Sequence, residues 1–218
     1  MVSQDYLAAR LHEDAKIQGS SHDFGRDVIP EGLRRGDHFH AHRFQNPTND
    51  QPPYWRDVGT IDGYYAANME LVTPNPPLDL YDPAWSTITH QRQLAPTLFN
   101  CPNGARAIES TMVSSGCVIV NSEVRQSILF SDVRVDDGCN LDGVLALPGC
   151  RIGAGSKLRN VILDNRCEVP PGTIVGFDAK KDSEAYNITD NGIALINRRM
   201  LGQGLSYKPE ASRRARNN

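Results

Sequence analysis

The stretch CVIVNSEVRQSILFSDVRVDDGCNLDGVLALPGCRIGAGSKLRNVILDNRCEVPPGTIVGF, residues 117–177, repeats itself every 17 positions. One aliphatic row is Val118, Val135, Ile152 and Val169; a second is Val124, Leu141, Leu158 and Val175. Three apolar clusters keep the same interval: Ser127-Ile128-Leu129, Val144-Leu145-Ala146 and Val161-Ile162-Leu163. A fixed period over four cycles is the signature of a solenoid, in which each unit stacks on the last. Within a cycle the two rows stand six residues apart. Six residues per side and about three sides per turn is hexapeptide β-helix spacing, whereas an α-helix would put apolar residues three and four apart. The sequence therefore predicts a left-handed hexapeptide β-helix over residues 111–178.

The rest of the composition bounds the molecule. A chain of 218 residues fits one or two domains. With 39% hydrophobic and 22% charged residues and a formal charge of −3, it has no general electrostatic reason to bind nucleic acid or an anionic membrane. The basic tail from Lys208 to Arg216 reads as a solvated terminus. No apolar run approaches a membrane span, and Met1–Asp5 lacks the basic patch and apolar core of a signal peptide. Cytoplasmic is the expected location. The five cysteines, Cys101, Cys117, Cys139, Cys150 and Cys167, form no CxxC pair, and their odd number argues against a disulfide framework. They read as small buried hydrophobes, with Cys150 and Cys167 on adjacent coils of the same rung.

Upstream of the repeat the pattern changes. Tyr6, Leu7, Leu11 and Ile17 predict a helix over residues 1–18, and Ser20–Gly25 a polar loop. Val28-Ile29-Pro30 and Glu31-Gly32 are expected to end a short element, and His38–Phe44 alternates as a strand does. Ile61–Leu71 returns to helical spacing and must stop before Pro74. Residues 74–110 read as a proline-rich connector, with Trp85 packing it onto a domain. Residues 179–218 form a C-terminal segment with one short element near Ile193–Leu201, then the tail. Residues 1–73 make a small mixed piece that begins on a helix, so they are expected to be the tail end of a larger α/β domain.

Two motifs in that piece could carry chemistry. They are Ser20-Ser21-His22-Asp23-Phe24-Gly25-Arg26-Asp27 and Tyr54-Trp55-Arg56-Asp57-Val58-Gly59-Thr60. Each sets a carboxylate beside an aromatic ring and a glycine. A loop carboxylate can coordinate Mg²⁺, and a neighbouring ring can stack on a sugar. Taken alone, such aspartates more often cap turns. His38, His40 and His42 would share one face of a strand, but a flat strand does not converge three rings on a metal, so they read as an ordinary polar face.

These motifs in this order, followed by a proline-rich joint and a hexapeptide solenoid, resemble the bacterial glucose-1-phosphate adenylyltransferases, the ADP-glucose pyrophosphorylases of glycogen synthesis. Leu78-Asp79-Leu80-Tyr81-Asp82, Ser127–Ser131, Val161–Asp164, Pro170-Pro171-Gly172 and Gly192–Ile196 add to the resemblance, which runs from about Asp5 to Leu201. It implies a nucleotidyltransferase domain ahead of the β-helix. It also implies a Mg²⁺-dependent reaction of ATP with glucose-1-phosphate to give ADP-glucose and pyrophosphate, catalysed mainly by positioning and charge neutralisation. On the same ground Asp57 is the catalytic metal ligand, and Ser21, Asp23, Phe24 and Trp55 match positions around the glucose-1-phosphate pocket. Arg26 stands where many relatives carry Lys. Arg166 and Arg198 match arginines of an allosteric anion site, but Gly202 occupies the place of another such arginine, so the effector stays open. A homotetramer is implied for the full enzyme.

The departure from the family is a missing part. No glycine-rich phosphate loop leads a strand-to-helix turn before residue 60. The chain therefore resembles the C-terminal half of the enzyme and is expected to be inactive alone. The alternative is a standalone β-helix that oligomerises with, or regulates, a separate catalytic chain. A hexapeptide acyltransferase is disfavoured, because His90, the last histidine, precedes the coils.

Overall fold

The computed structural model describes residues 2–45, 53–83, 92–101 and 108–204. Trp85, His90 and the basic tail lie outside the described residues. The chain divides into two compact units, Met1–Asn46 and Pro47–Asn218.

The first unit holds α1 (Gln4–Asp14) and α2 (Ile29–Arg34), with a single π-helical turn at Phe24–Val28. Ser3 caps α1, its hydroxyl accepting the Tyr6 amide. Pro30 and Gly32, expected to end an element, instead lie inside α2. Proline in a first turn is pre-set for a helix and loses only an amide that has no partner there. Gly32 is required by packing: a Cβ there would sit 2.8 Å from both the Phe39 ring and the Tyr6 hydroxyl. That hydroxyl donates to Asp37 at 2.6 Å, and Arg35 pairs with Glu31 and Glu13. Residues 38–44 form no strand; among the described residues the unit supplies no second strand to pair with them.

In the second unit α3 (Ile61–Met69) and a 3₁₀ turn at Glu70–Val72 precede the solenoid. Its strands line three faces. The first holds β1 (Leu98–Asn100), β4 (Val118–Val120), β7 (Arg134–Val135), β9 (Arg151–Ile152) and β11 (Glu168–Val169). The second holds β2 (Ile108–Glu109), β5 (Glu123–Arg125), the first parts of β8 (Asn140–Ala146) and β10 (Lys157–Leu163), and β12 (Ile174–Val175). The third holds β3 (Met112–Val113), β6 (Ile128–Leu129), the remaining parts of β8 and β10, and β14 (Ala194–Ile196). The chain leaves the coil after β12, forms α4 (Ala179–Asp182) and β13 (Asn187–Ile188), and returns as β14. Only β13 runs antiparallel to its neighbour among the described strands. Pairing thus starts at Leu98, ahead of the period visible in the apolar rows, because the first strands are exposed and short.

The register follows the 17-residue interval with one correction. Val124, Leu141, Leu158 and Val175 stack as expected. On the first face Ile119, not Val118, pairs with Val135, and Ile119 is the fully buried residue. Strand side chains alternate, so moving the inward position by one residue carries Val118 off the core row. Among the described residues, three ladders of coil corners are turned by residues with positive φ. The ladders are Gly116, Asp132, Gly149 and Arg166; Asn121, Gly138, Gly155 and Gly172; and Ser110, Gln126, Gly143 and Asn160. A bend this sharp demands the left-handed region, which glycine enters freely and Asn or Asp at modest cost.

Inside the coil lies one apolar core, including Leu129, Leu141, Ile152, Leu158, Leu163 and Ile196. Four of the five free thiols, Cys117, Cys139, Cys150 and Cys167, are buried in it. A second cluster lies outside the third face, where Ile128, Leu145, Ile162 and Ile193 meet Ile61, Tyr64, Tyr65 and Met69. Helix α3 therefore lies on the outer wall of the solenoid. The Tyr65 hydroxyl donates to the Gly143 carbonyl at 2.7 Å, and the Thr189 hydroxyl donates to Asp62 at 2.7 Å.

Candidate functional site

In the first unit the residues Ser20–Asp27 form a tight polar turn. Asp23 caps the π-turn, its Oδ1 accepting the amides of Gly25 and Arg26 at 2.8 Å each. Ser21 donates its hydroxyl to Asp27, which also accepts the Asp23 amide at 3.1 Å. These bonds hold the Asp27 carboxyl below the usual range, Ser21 contributing most. Phe24 is half exposed. The resemblance pointed to Ser21, Asp23 and Phe24; the turn presents all three at its surface, with one Asp23 oxygen committed to the cap.

Beside them stands a pair that the sequence reading did not single out. His22 has φ +56, and its Nδ1 lies 2.7 Å from Oδ2 of the buried Asp14. Ser20 donates to the other oxygen at 2.7 Å. The two hydrogen bonds, from Ser20 first and His22 second, keep the Asp14 carboxyl below the ordinary range. Asp14 ends the amphipathic stretch and its burial breaks the apolar pattern, so only its partners reveal its place.

The second motif belongs to the other unit. Trp55 is 68% exposed, an open aromatic face at the surface. Arg56 pairs with Glu70 at 2.9 Å and lies over the Tyr54 ring at 5.1 Å, so its charge is already engaged. Asp57 is exposed, and its Oδ1 accepts the Gly59 amide at 2.9 Å. Thr60 caps α3, accepting the Gly63 amide at 3.0 Å. A Cβ on Gly63 would sit 2.9 Å from the Asp57 carbonyl, so that glycine lets the loop fold back on the helix. A hard carboxylate at an exposed loop end fits one position in the shell of a divalent cation. Among the described residues no three His, Cys, Asp or Glu side chains are grouped as a metal site, His38, His40 and His42 included.

The two arginines lie at the C-terminal coil. Arg166 turns a corner at φ +58, with its side chain running over Gly149: a Cβ there would stand 3.1 Å from the Arg166 Cγ. Arg198 is half-buried, and its Nε is buried without a hydrogen-bond partner among the described residues. Its charge reaches Cys167, whose thiol is pushed up to about 11 by burial and then Asp164, with Arg198 opposing. Gln203 clamps the edge strand β11, accepting the Glu168 amide at 3.1 Å and donating to the Glu168 carbonyl at 2.5 Å.

Comparison with known proteins separates the segment ahead of the solenoid, including α3, from the solenoid itself. A family model described as nucleotidyl transferase matches residues 3–73, and one described as GlmU-like, C-terminal hexapeptide matches residues 95–196. The glucose-1-phosphate adenylyltransferase of Nitrosomonas europaea is 41% identical over 208 residues, covering 93% of this chain and 48% of that protein. The enzyme of the same name from Nitrosospira multiformis is 42% identical over 95% of this chain and 50% of its own length. That from Methylococcus capsulatus is 40% identical over 93% and 48%. The chain spans about half the length of the curated relatives it matches. No helix among the described residues is long and apolar enough to cross a membrane. A nucleotidyl transferase segment joined to a hexapeptide β-helix, at this level of identity over nine-tenths of the sequence, makes this chain a homologue of the glucose-1-phosphate adenylyltransferases.

Proposed function

We propose that these 218 residues contribute the sugar-phosphate side and the solenoid of a glucose-1-phosphate adenylyltransferase. The observation that carries the reading is the identity of about two residues in five with enzymes of that name across both segments. In the proposed reaction a phosphate oxygen of glucose-1-phosphate attacks the α-phosphorus of ATP in line, and pyrophosphate departs. Bound Mg²⁺ would supply charge neutralisation on the phosphates. Asp57 would hold it through the carboxylate oxygen not used by the Gly59 amide. Asp23, with Oδ1 committed to its cap, would accept from sugar hydroxyls through Oδ2. Ser21 would assist at the same turn, while Phe24 in the first unit and Trp55 in the second each offer an exposed aromatic face of the kind that stacks on sugars.

Arg166 and Arg198 are proposed to bind a regulatory anion. Support comes from the buried, unpartnered Nε of Arg198, because a buried donor without a partner is costly unless a ligand or water meets it. Assembly through the solenoid as a homotetramer, or with a separate catalytic chain, belongs to the same reading. Buried unpaired thiols fit a reducing, cytoplasmic setting.

Residues 1–60 carry no glycine-rich phosphate loop, so the 218-residue polypeptide is expected to turn over nothing by itself. The test is pyrophosphate release from ATP, glucose-1-phosphate and Mg²⁺. It is run with the chain alone, then with the nucleotide-binding part of a relative supplied in trans. Turnover that needs both parts, and that Asp57→Asn abolishes, is the expected result. Persistent silence of the combined parts, with both folded, removes the catalytic reading and leaves a regulatory or oligomerising module.

A further inference from the structure

The loop from Tyr54 to Thr60 has no strand pairing, and among the described residues its side-chain contacts beyond the loop itself run to α3 and the turn behind it. Arg56 is tied to Glu70, Thr60 caps α3, and Gly63 admits the Asp57 carbonyl. Helix α3 has nine residues, too few to persist by its own backbone bonds. What holds it is the solenoid: Ile128, Leu145 and Ile162 from three successive coils beneath it, the Gly143 carbonyl under Tyr65, and Thr189 against Asp62. Thr189 is itself fixed, its hydroxyl accepting the Ile193 amide at 3.2 Å and its carbonyl accepting the Gly192 amide at 2.9 Å.

We propose that the solenoid wall sets the position of Asp57, with Tyr65, Asp62 and Thr189 as the positioning residues. The β-helix is then a working part of the catalytic centre, since the placement of its carboxylate is inherited from coil corners and from the β13–β14 hairpin. The same hairpin leads, two residues beyond Ile196, to Arg198, so the anion-binding candidate and the Thr189 hydroxyl ride on one element. A carboxylate on an anchored loop can serve a metal with less reorganisation at each turnover.

The inference rests on the reading of Asp57 as a metal ligand, and its test is chosen to stand apart from that reading. Amide hydrogen exchange is measured by NMR on the 218-residue chain and its Tyr65→Phe and Thr189→Val variants. The reporters are Gly63 and Tyr64, whose amides bond to the Thr60 hydroxyl and carbonyl. The internal reference is Leu147, bonded within the coil to the Leu163 carbonyl. Exchange at Gly63 and Tyr64 about fivefold faster or more in each variant, with Leu147 unchanged, is expected from the loss of the hydroxyl's hydrogen bonding to or from α3. Thr189→Ser should restore the original rate. Unchanged exchange at Gly63 and Tyr64 in Tyr65→Phe overturns the proposal, and that variant decides the matter if Thr189→Val also loosens the coil. Failure of Asp57→Asn to abolish turnover in the combined parts would remove the metal role and leave the exchange result intact.

Discussion

Tyr65 is where a side chain's acid–base chemistry reports on packing. Burial first, and then the charge of Asp142, push its hydroxyl from 10.0 up to about 12. A group whose folded value is raised contributes stability that is fully present below 10.0 and lost as the pH climbs towards about 12. Thermal unfolding followed between those values should show the wild type losing stability steadily, while Tyr65→Phe, less stable at neutral pH, shows a flatter profile. Parallel profiles would mean that the hydroxyl plays no part in holding α3. Asp23 and Asp57 were both legible in the sequence as carboxylates beside glycine. What the sequence could not supply was the division of labour within each carboxylate, in which Oδ1 closes a local turn and Oδ2 is left for other work. That division depends on backbone direction over three residues, which neither composition nor spacing encodes.

The elements were legible where one period ruled and obscure where two contacts competed. The inward rows named the solenoid at once, yet the clusters Ile128-Leu129, Leu145-Ala146 and Ile162-Leu163 carried a second message. Adjacent apolar residues in a strand mean that both of its faces are covered. Leu129, Ala146 and Leu163 do face the inner core, and Ile128, Leu145 and Ile162 support α3. The alternation of His38–Phe44, by contrast, met no partner strand among the described residues and stayed unpaired. Corners behave as elements too, and they are unequal. At Gly176, with φ +88, a Cβ would stand 1.9 Å from the Arg159 carbonyl oxygen; at Gly155, with φ +70, it would meet nothing within 4 Å. Gly155→Ala should therefore cost about 1–2 kcal/mol from backbone strain alone. Gly176→Ala should cost at least about 3 kcal/mol, since strain and a clash with fixed backbone combine. Urea unfolding of the two variants separates these values, and equal losses would contradict the steric account.

On the scale of the whole molecule, the second unit couples a coil core to an outer layer through the same strands. Ile196 is fully buried, and Ile196→Ala should cost about 2–5 kcal/mol. The loss should lower the melting of the α3 helical signal and of the coil together, because β14 completes the rung beside β10 and Ile193 joins the cluster under α3. Separate transitions for helix and coil would show that the layers are independent. The two-piece construction of that last rung has a further consequence, in time. Each earlier coil pairs with the one just made, so it can wind on as the polypeptide emerges from the ribosome, with little entropy to surrender at each step. The final rung cannot form that way: β12 covers the first part of β10, but its Val161–Leu163 part must wait, one edge bare, until the chain has travelled through α4 and β13 and come back as β14. Late closure of this latch is then the step at which a nascent molecule is most exposed to strand exchange with its neighbours.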